Sequence, residues 1–559
     1  MTDVVIRNAT IVDGTGAPAR VADLAIAGGK IEAIGRNLGP ATETVDADGR
    51  VLMPGIIDGH THYDAQLTWD PWADPSPALG VTTIVIGNCG FTIAPCKPED
   101  RDITMRNLTH VEGMSLDALR TGTRWDFESF PEYLAMLERQ GVGPNVAAFV
   151  GHSSIRTFVM GTDATERAAT EDEVARMVDL VRDGMKAGAV GFASSTNEQH
   201  NGENGIPMPS RLADDRELRA LVTAMGESGR GLYMLTRGSK TSVDYLETLA
   251  ADSKRPVLMA AVFYNGTNPT LAQKAVDETR AARARGNNVI AQVACCPLTM
   301  DFTLASPYLF EGMESWRPAM AVHGEALKRV YADESFRNGV RTELRDFHGR
   351  RLFNSQWDKL NVVEVTKAKN APLEGRSLAD IAATGNRDPL DTMLDLGLEE
   401  DLATLFTAVL LNAEDKGVAP LLQDPDTHIS LSDAGAHLTF LCDAGFGLHL
   451  LGHWVRERGV LTLEEAVRRL TAQPAALFGI TDRGRLAPGL AADLLLIDPK
   501  TVGRTPKRRV RDLPAGAARL TTDGIGIEGV WINGVRVSHG KGVIDPSQTP
   551  GKVLRAFAS

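Results

Sequence analysis

Residues 51–62, VLMPGIIDGHTH, end an apolar run with two histidines one residue apart. In an extended chain alternate side chains share a face, so His60 and His62 point one way and Thr61 the other. Only 12 histidines occur in 559 residues. Two imidazoles converging at the end of a strand can grip one metal ion. What stands at the ends of the neighbouring strands decides both fold and function.

Seven further apolar runs resemble strands buried on both faces: VTTIVIGNCG, NVAAFVGHSS, GAVGFASS, GLYMLTRG, PVLMAAVF, NVIAQVACC and HISLSD. Helical patterns separate several of them. TEDEVARMVDLVRDGMKA (170–187) is one, with Glu171 and Asp172 in the first turn, where the helix dipole favours them. Eight such strands with helices between them predict an α/β fold, a distorted (β/α)8 barrel over 55–480. Residues 303–427 are too long for one crossover and read as an inserted helical segment. Both ends are rich in short strands and turns, so 1–54 and 481–559 are expected to form one small β-sandwich.

The net charge is −13, from 59 basic and 72 acidic residues, which offers no basic surface for nucleic acid or an anionic membrane. No run reaches the length of a membrane span. Five cysteines (Cys89, Cys96, Cys295, Cys296 and Cys442) are sparse and odd in number, which argues for a reducing interior. The first residues, MTDVVIRNATIVDG, alternate like a strand and lack the pattern of a signal peptide. A cytoplasmic protein acting on a small molecule is expected, and a homo-oligomer is left open.

In a barrel of this kind the reactive groups stand at the C-terminal strand ends. Those ends carry His60, His62, Cys89, His152, Ser194, Ser195, Arg237, Cys295, Cys296 and Asp433. Imidazole, thiolate and carboxylate are the ligand set of Zn²⁺. Asp433, closing SLSD, can coordinate a metal, take a proton from water and pass it to a leaving nitrogen. Arg156 and Arg237 are candidates to clamp a substrate carboxylate through a guanidinium fork. His152 is a candidate donor to substrate or a supporting residue. His437, four residues past Asp433, either orients it from one helical turn away or faces solvent. The loop QHNGENGIP (199–207) suits a flap whose His200 either approaches a metal on closure or stays exposed, whereas Cys295 and Cys296 face opposite ways and read as packing.

VLMPGIIDGHTH, GVTTIVIGNCGFTIAP, NVAAFVGHSSIR, GAVGFASS, SLSDAGAH and GRLAPGLAADLLLID together resemble the amidohydrolase superfamily. The chain is similar over nearly its whole length to the N-acyl-D-amino-acid deacylase (D-aminoacylase) group, to which GNCGFTIAP points. The resemblance implies a metal-dependent hydrolase of an amide or related C–N bond. It also implies zinc on His60 and His62, Cys89 as a further ligand, and Asp433 as the catalytic acid/base. Members of that group place a histidine at the end of strand five and another at the end of strand six. Here those ends offer Leu235 or Thr236, and Ala260 or Ala261. One ion held by His60, His62 and Asp433, with Cys89 or a water completing the set, is therefore expected. An N-acyl amino acid or similar acylated amine is the expected substrate. The alternatives are a cyclic-amide, carbamate or urea-type hydrolase, an amide-forming member, and a scaffold that binds ligands without turnover.

Overall fold

All eight apolar runs become strands of one parallel sheet, in chain order. They are β1 (Ile56–Asp58), β2 (Val81–Ile86), β3 (Asn145–Gly151), β4 (Gly191–Ser195), β5 (Leu232–Thr236), β6 (Val257–Val262), β7 (Val289–Val293) and β8 (His428–Ile429). Every residue of β2 and β3 is buried, as expected for strands covered on both faces. The sheet closes past the ends of β1 and β8. There Thr61 and Ala434 form a parallel bridge, and the His62 amide donates to the Ala434 carbonyl at 2.7 Å. The expected distorted (β/α)8 barrel is the observed one. This computed structural model describes residues 2–310, 312–346, 353, 355–438 and 443–559, so Cys442 lies outside the described residues.

The opening run is two strands rather than one. Val51–Pro54 belongs to a sheet at the chain ends, and only Ile56–Asp58 enters the barrel. Gly55 is the hinge, because a Cβ there would sit 2.2 Å from the Thr82 side chain. Val51–Pro54 pairs antiparallel with Leu494–Ile497, so the last part of the chain hydrogen-bonds to the first. That sheet runs in the order Val535–Ser538, Ile527–Ile532, Leu494–Ile497, Val51–Pro54, Val4–Ile11, Arg20–Ala27, Lys30–Gly35. Its core includes Ile6, Ile11, Leu24, Leu52, Leu494 and Trp531.

The helix read from TEDEVARMVDLVRDGMKA spans Glu171–Ala187 and starts on a capping box between Thr170 and Glu173. Gly188 ends it with φ +106°, and a Cβ there would meet Arg555 at 2.5 Å.

The chain divides into two compact units: 1–262 with 272–296 and 419–559, and 263–271 with 297–418. The second unit is not purely helical. Beside its helices it holds an antiparallel sheet in the order Leu298–Phe302, Leu405–Leu411, Leu360–Glu364. An aromatic core fills it, with Phe310 stacked on Trp316 at 4.1 Å between centroids. No described helix is long and apolar enough to cross a membrane.

Candidate active site

β1 stops at Asp58, and residues 59–62 leave the sheet while keeping its alternation. Thr61 turns away and donates its hydroxyl to the Val85 carbonyl at 2.8 Å. His60 and His62 then face inward together, with ring centroids 5.3 Å apart. The turn after β2 brings Cys89 to them. Asn88 braces that turn by donating Nδ2 to the Val85 carbonyl at 2.9 Å, and Cys89 itself takes a φ of +57°. Asp433, on the turn after β8, has φ +48°. Left-handed backbone at non-glycine residues costs about 1–3 kcal/mol and persists where the surroundings fix it, often at functional sites.

Four side chains converge. Nε2 of His60 and of His62 lie 3.2 and 3.4 Å from the same oxygen, Oδ1 of Asp433. The Cys89 sulfur lies 3.6 Å from His60 Nε2. Ligand atoms of His60, His62 and Cys89 are all within 4.8 Å of one another, the one such group among the described residues. The histidines are 2 and 3% exposed and Cys89 is 6% exposed, whereas the Asp433 side chain keeps 19% of its surface, so the cluster opens on the Asp433 side. Two imidazoles, a thiol and a carboxylate on one point fit a divalent metal of the zinc type.

The outer edges of the two rings are also occupied. His60 Nδ1 is 2.9 Å from Oε1 of Gln292 on β7, and His62 Nδ1 is 3.1 Å from Oε1 of Glu112. His60 therefore has its Nδ1 edge hydrogen-bonded to Gln292, whereas His62 Nδ1 faces the Glu112 carboxylate as an ion-pair contact without hydrogen-bond geometry; both Nε2 edges turn to the cluster. Burial pushes His60 down to about 4, which leaves a neutral imidazole with a lone pair for a metal. Burial pushes the Asp433 carboxyl up, but the hydrogen bond from His62 and the charge of that ring hold it well below the usual carboxylate range.

Glu112 and Gln292 are absent from the sequence reading. Gln292 left a trace, a polar residue inside the apolar run NVIAQVACC. Glu112 left none. It follows the helix Arg101–Val111 and reaches His62 only through the tertiary fold.

Other candidates fall elsewhere. His152 and Arg156 are fully buried and turn to Glu217 instead of the cluster. His152 Nδ1 is 2.7 Å from Ser194 Oγ and its Nε2 is 2.8 Å from Glu217. Arg156 pairs with Glu217 and donates to the carbonyls of Ala164 and Arg167 at 3.2 and 2.5 Å. With those atoms engaged, the two residues tie the helix His152–Met160, which follows β3, to the helix Asp215–Glu227. Arg237 follows β5 half-buried, its amide donating to the Ala260 carbonyl at 2.9 Å and Nη1 to the Thr241 carbonyl at 3.5 Å. His437 is not one helical turn from Asp433. The segment is a tight turn in which His437 has φ +52° and its amide donates to the Glu112 carbonyl. Its ring lies within electrostatic reach of Asp433 and Glu112. Cys295 and Cys296 are buried, and the Cys295 thiol donates to the Phe446 carbonyl at 3.4 Å. At the end of β5 the Thr236 hydroxyl lies 3.0 Å from the Cys89 sulfur.

Comparison with known proteins adds to this geometry. The model of the amidohydrolase family matches residues 43–538. The chain belongs to that family. This amidohydrolase is 30% identical to an uncharacterised protein of Mycobacterium tuberculosis, over 89% of its own length and 84% of the other. It is 28% identical to the N-acyl-D-glutamate deacylase of Alcaligenes xylosoxydans, over 100% of this chain and 97% of that one. Among solved structures it is similar to an N-acyl-D-glutamate deacylase from Bordetella bronchiseptica, complexed with zinc and a phosphonate mimic of the tetrahedral intermediate. The TM-score is 0.67 at 26% identity, covering 99% of this chain and 100% of that one. A D-aminoacylase structure gives 0.67 at 25% identity, with 100% of both chains covered.

Proposed function

We propose that this amidohydrolase cleaves the amide bond of an N-acyl amino acid with one divalent ion, zinc, held by His60, His62 and Asp433 with Cys89 beside them. The observation that carries the reading is the approach of both Nε2 atoms to one Asp433 oxygen, at 3.2 and 3.4 Å. Zinc bound there would supply a Lewis acid for a carbonyl and lower the pKa of water towards neutrality. Gln292 and Glu112 keep the Nε2 edges of the two histidines turned inward. Asp433, ionised and on the open side of the cluster, takes a proton from the attacking water and delivers it to the departing nitrogen.

The substrate class is supported by the deacylase relatives, which align along the whole chain. A single ion is supported by the ends of β5 and β6. Thr236 spends its hydroxyl on Cys89, and Leu235 and Ala260 are buried without ligand atoms. A similar D-aminoacylase structure (TM-score 0.66, 25% identity) is described as having a binuclear centre with one-metal activation and second-metal attenuation. The four described cysteines are free, in keeping with a cytoplasmic setting.

Zinc-loaded protein assayed against N-acyl-D- and N-acyl-L-amino acids tests the reading. Turnover that His60→Ala and Asp433→Asn abolish supports it. A zinc-loaded protein that turns over neither series contradicts it.

A further inference from the structure

We infer that Thr236 is a positioning residue for the metal, its hydroxyl donating a hydrogen bond to the Cys89 sulfur and holding that thiolate on the ion. This rests on the proposed one-ion site. Thr236 is the last residue of β5, which is paired on both sides, and its register partners are Ser195 of β4 and Ala260 of β6. Its carbonyl accepts from the Thr196 amide at 3.0 Å, so its backbone is fixed. Its hydroxyl lies 3.0 Å from Cys89 Sγ, and the sulfur is the one partner of that hydroxyl among the described residues. The turn that carries the sulfur is held as firmly. Gly90 has φ +76°, and a Cβ there would meet the Ala193 carbonyl oxygen at 2.6 Å, so the turn packs directly against β4.

The chemistry of the ligand fixes the direction of this hydrogen bond. A thiol and a hydroxyl can each donate, but a cysteine binds a metal as its thiolate, which has no hydrogen to give. With an ion bound, the hydrogen must come from Thr236. The other groups nearby cannot supply it. His60 Nε2, 3.6 Å from the sulfur, and His62 Nε2 give their lone pairs to the ion in the proposed site. Asp433, 3.2 Å from His60 Nε2, is a carboxylate and only accepts. Ser195, the neighbour of Thr236 on β4, donates to the Thr236 carbonyl at 3.4 Å and accepts from His200 Nδ1 at 2.7 Å. A thiolate as buried as Cys89 sees little water, and a negative charge left without a donor there is costly. The hydroxyl offsets that cost and keeps the sulfur turned to His60 and His62.

The test uses the full-length protein and two variants: Thr236→Val, which keeps the shape and removes the hydroxyl, and Thr236→Ser, which keeps the hydroxyl. Zinc affinity is read by competition with a chromogenic chelator. The sulfur is read directly in cobalt(II)-loaded protein, through the near-ultraviolet charge-transfer band from thiolate to metal. Thr236→Val is expected to weaken zinc binding by about 10–100-fold, as loss of a partner behind a ligand does. A hydrogen bond lowers the energy of the sulfur lone pair, so the same variant should move the band to longer wavelength. Thr236→Ser should restore both band and affinity. The band decides: if Thr236→Val leaves it in place, the inference is overturned whatever the affinity. It is also overturned if Thr236→Ser matches Thr236→Val, which would assign the effect to the lost methyl packing. If the unmodified protein binds neither zinc nor cobalt, the proposed function falls and takes this inference with it. If it binds zinc and cleaves N-acyl amino acids but its cobalt form shows no sulfur band, the inference alone falls.

Discussion

Glu112 Oε1 lies 3.1 Å from Nδ1 of His62, and each of the two side chains is 3% exposed. A carboxylate behind a ligating imidazole fixes the ring and raises its basicity. Glu112 also accepts the His437 amide through its carbonyl, so one residue braces both a ligand and the turn that carries Asp433. Glu112→Gln keeps the shape and removes the charge. It is expected to weaken zinc binding by about 10–100-fold, read by competition with a chromogenic chelator. Affinity equal to that of the unmodified protein would make the contact incidental.

Zinc affinity should rise with pH. Burial lowers His62, but Glu112 and Asp433 outweigh burial and hold it above its ordinary 6.5, so the ring is protonated near neutrality. Burial pushes the Cys89 thiol above its ordinary 9.0. Both protons must leave before nitrogen and sulfur can bind a metal. Titration calorimetry in buffers of different ionisation enthalpy should therefore count protons released, and affinity should climb from pH 6 to pH 8. Flat affinity with no proton release would mean that neither side chain is a ligand.

Glu217 should matter for stability and leave the metal untouched. Burial raises its carboxyl, but His152 and Arg156 outweigh that and hold it below the ordinary 4.5. A depressed carboxylate contributes stability in full above about 4.5, and the contribution disappears as pH falls through the lowered value. Glu217→Ala strands a buried guanidinium and is expected to cost about 3–5 kcal/mol in urea unfolding at pH 7, with unchanged zinc stoichiometry in the folded fraction. Lost zinc at full stability would reverse the assignment.

Trp316 should anchor the second unit. It is fully buried, stacked on Phe310 and 5.3 Å from the Phe336 ring. Trp316→Ala is expected to destabilise that unit by about 3–5 kcal/mol, seen as an earlier denaturation transition. An unshifted transition would contradict the packing described.

The barrel was legible because strands buried on both faces leave unbroken apolar runs, and all eight runs became strands. The metal-ligand candidates stood out because the C-terminal strand ends form a short list. Elsewhere the reading ran out for physical reasons. VLMPGIID looks like one strand, yet steric pressure from Thr82 on Gly55 divides it between two sheets. His152 follows a strand end as a ligand would, but a helix begins at that residue and turns the ring to Glu217. Leu405–Leu411 alternates buried and half-buried residues as an antiparallel strand does, within a stretch read as helical. The contact of Glu112 with His62 spans 50 residues of sequence and has no local signature.

Anomalous scattering at the zinc edge, from crystals of the zinc-loaded protein, tests the central claim most directly. The account predicts one strong peak per chain, within bonding distance of His60 Nε2, His62 Nε2 and Asp433 Oδ1. An empty cluster, or two peaks of equal strength, would contradict it.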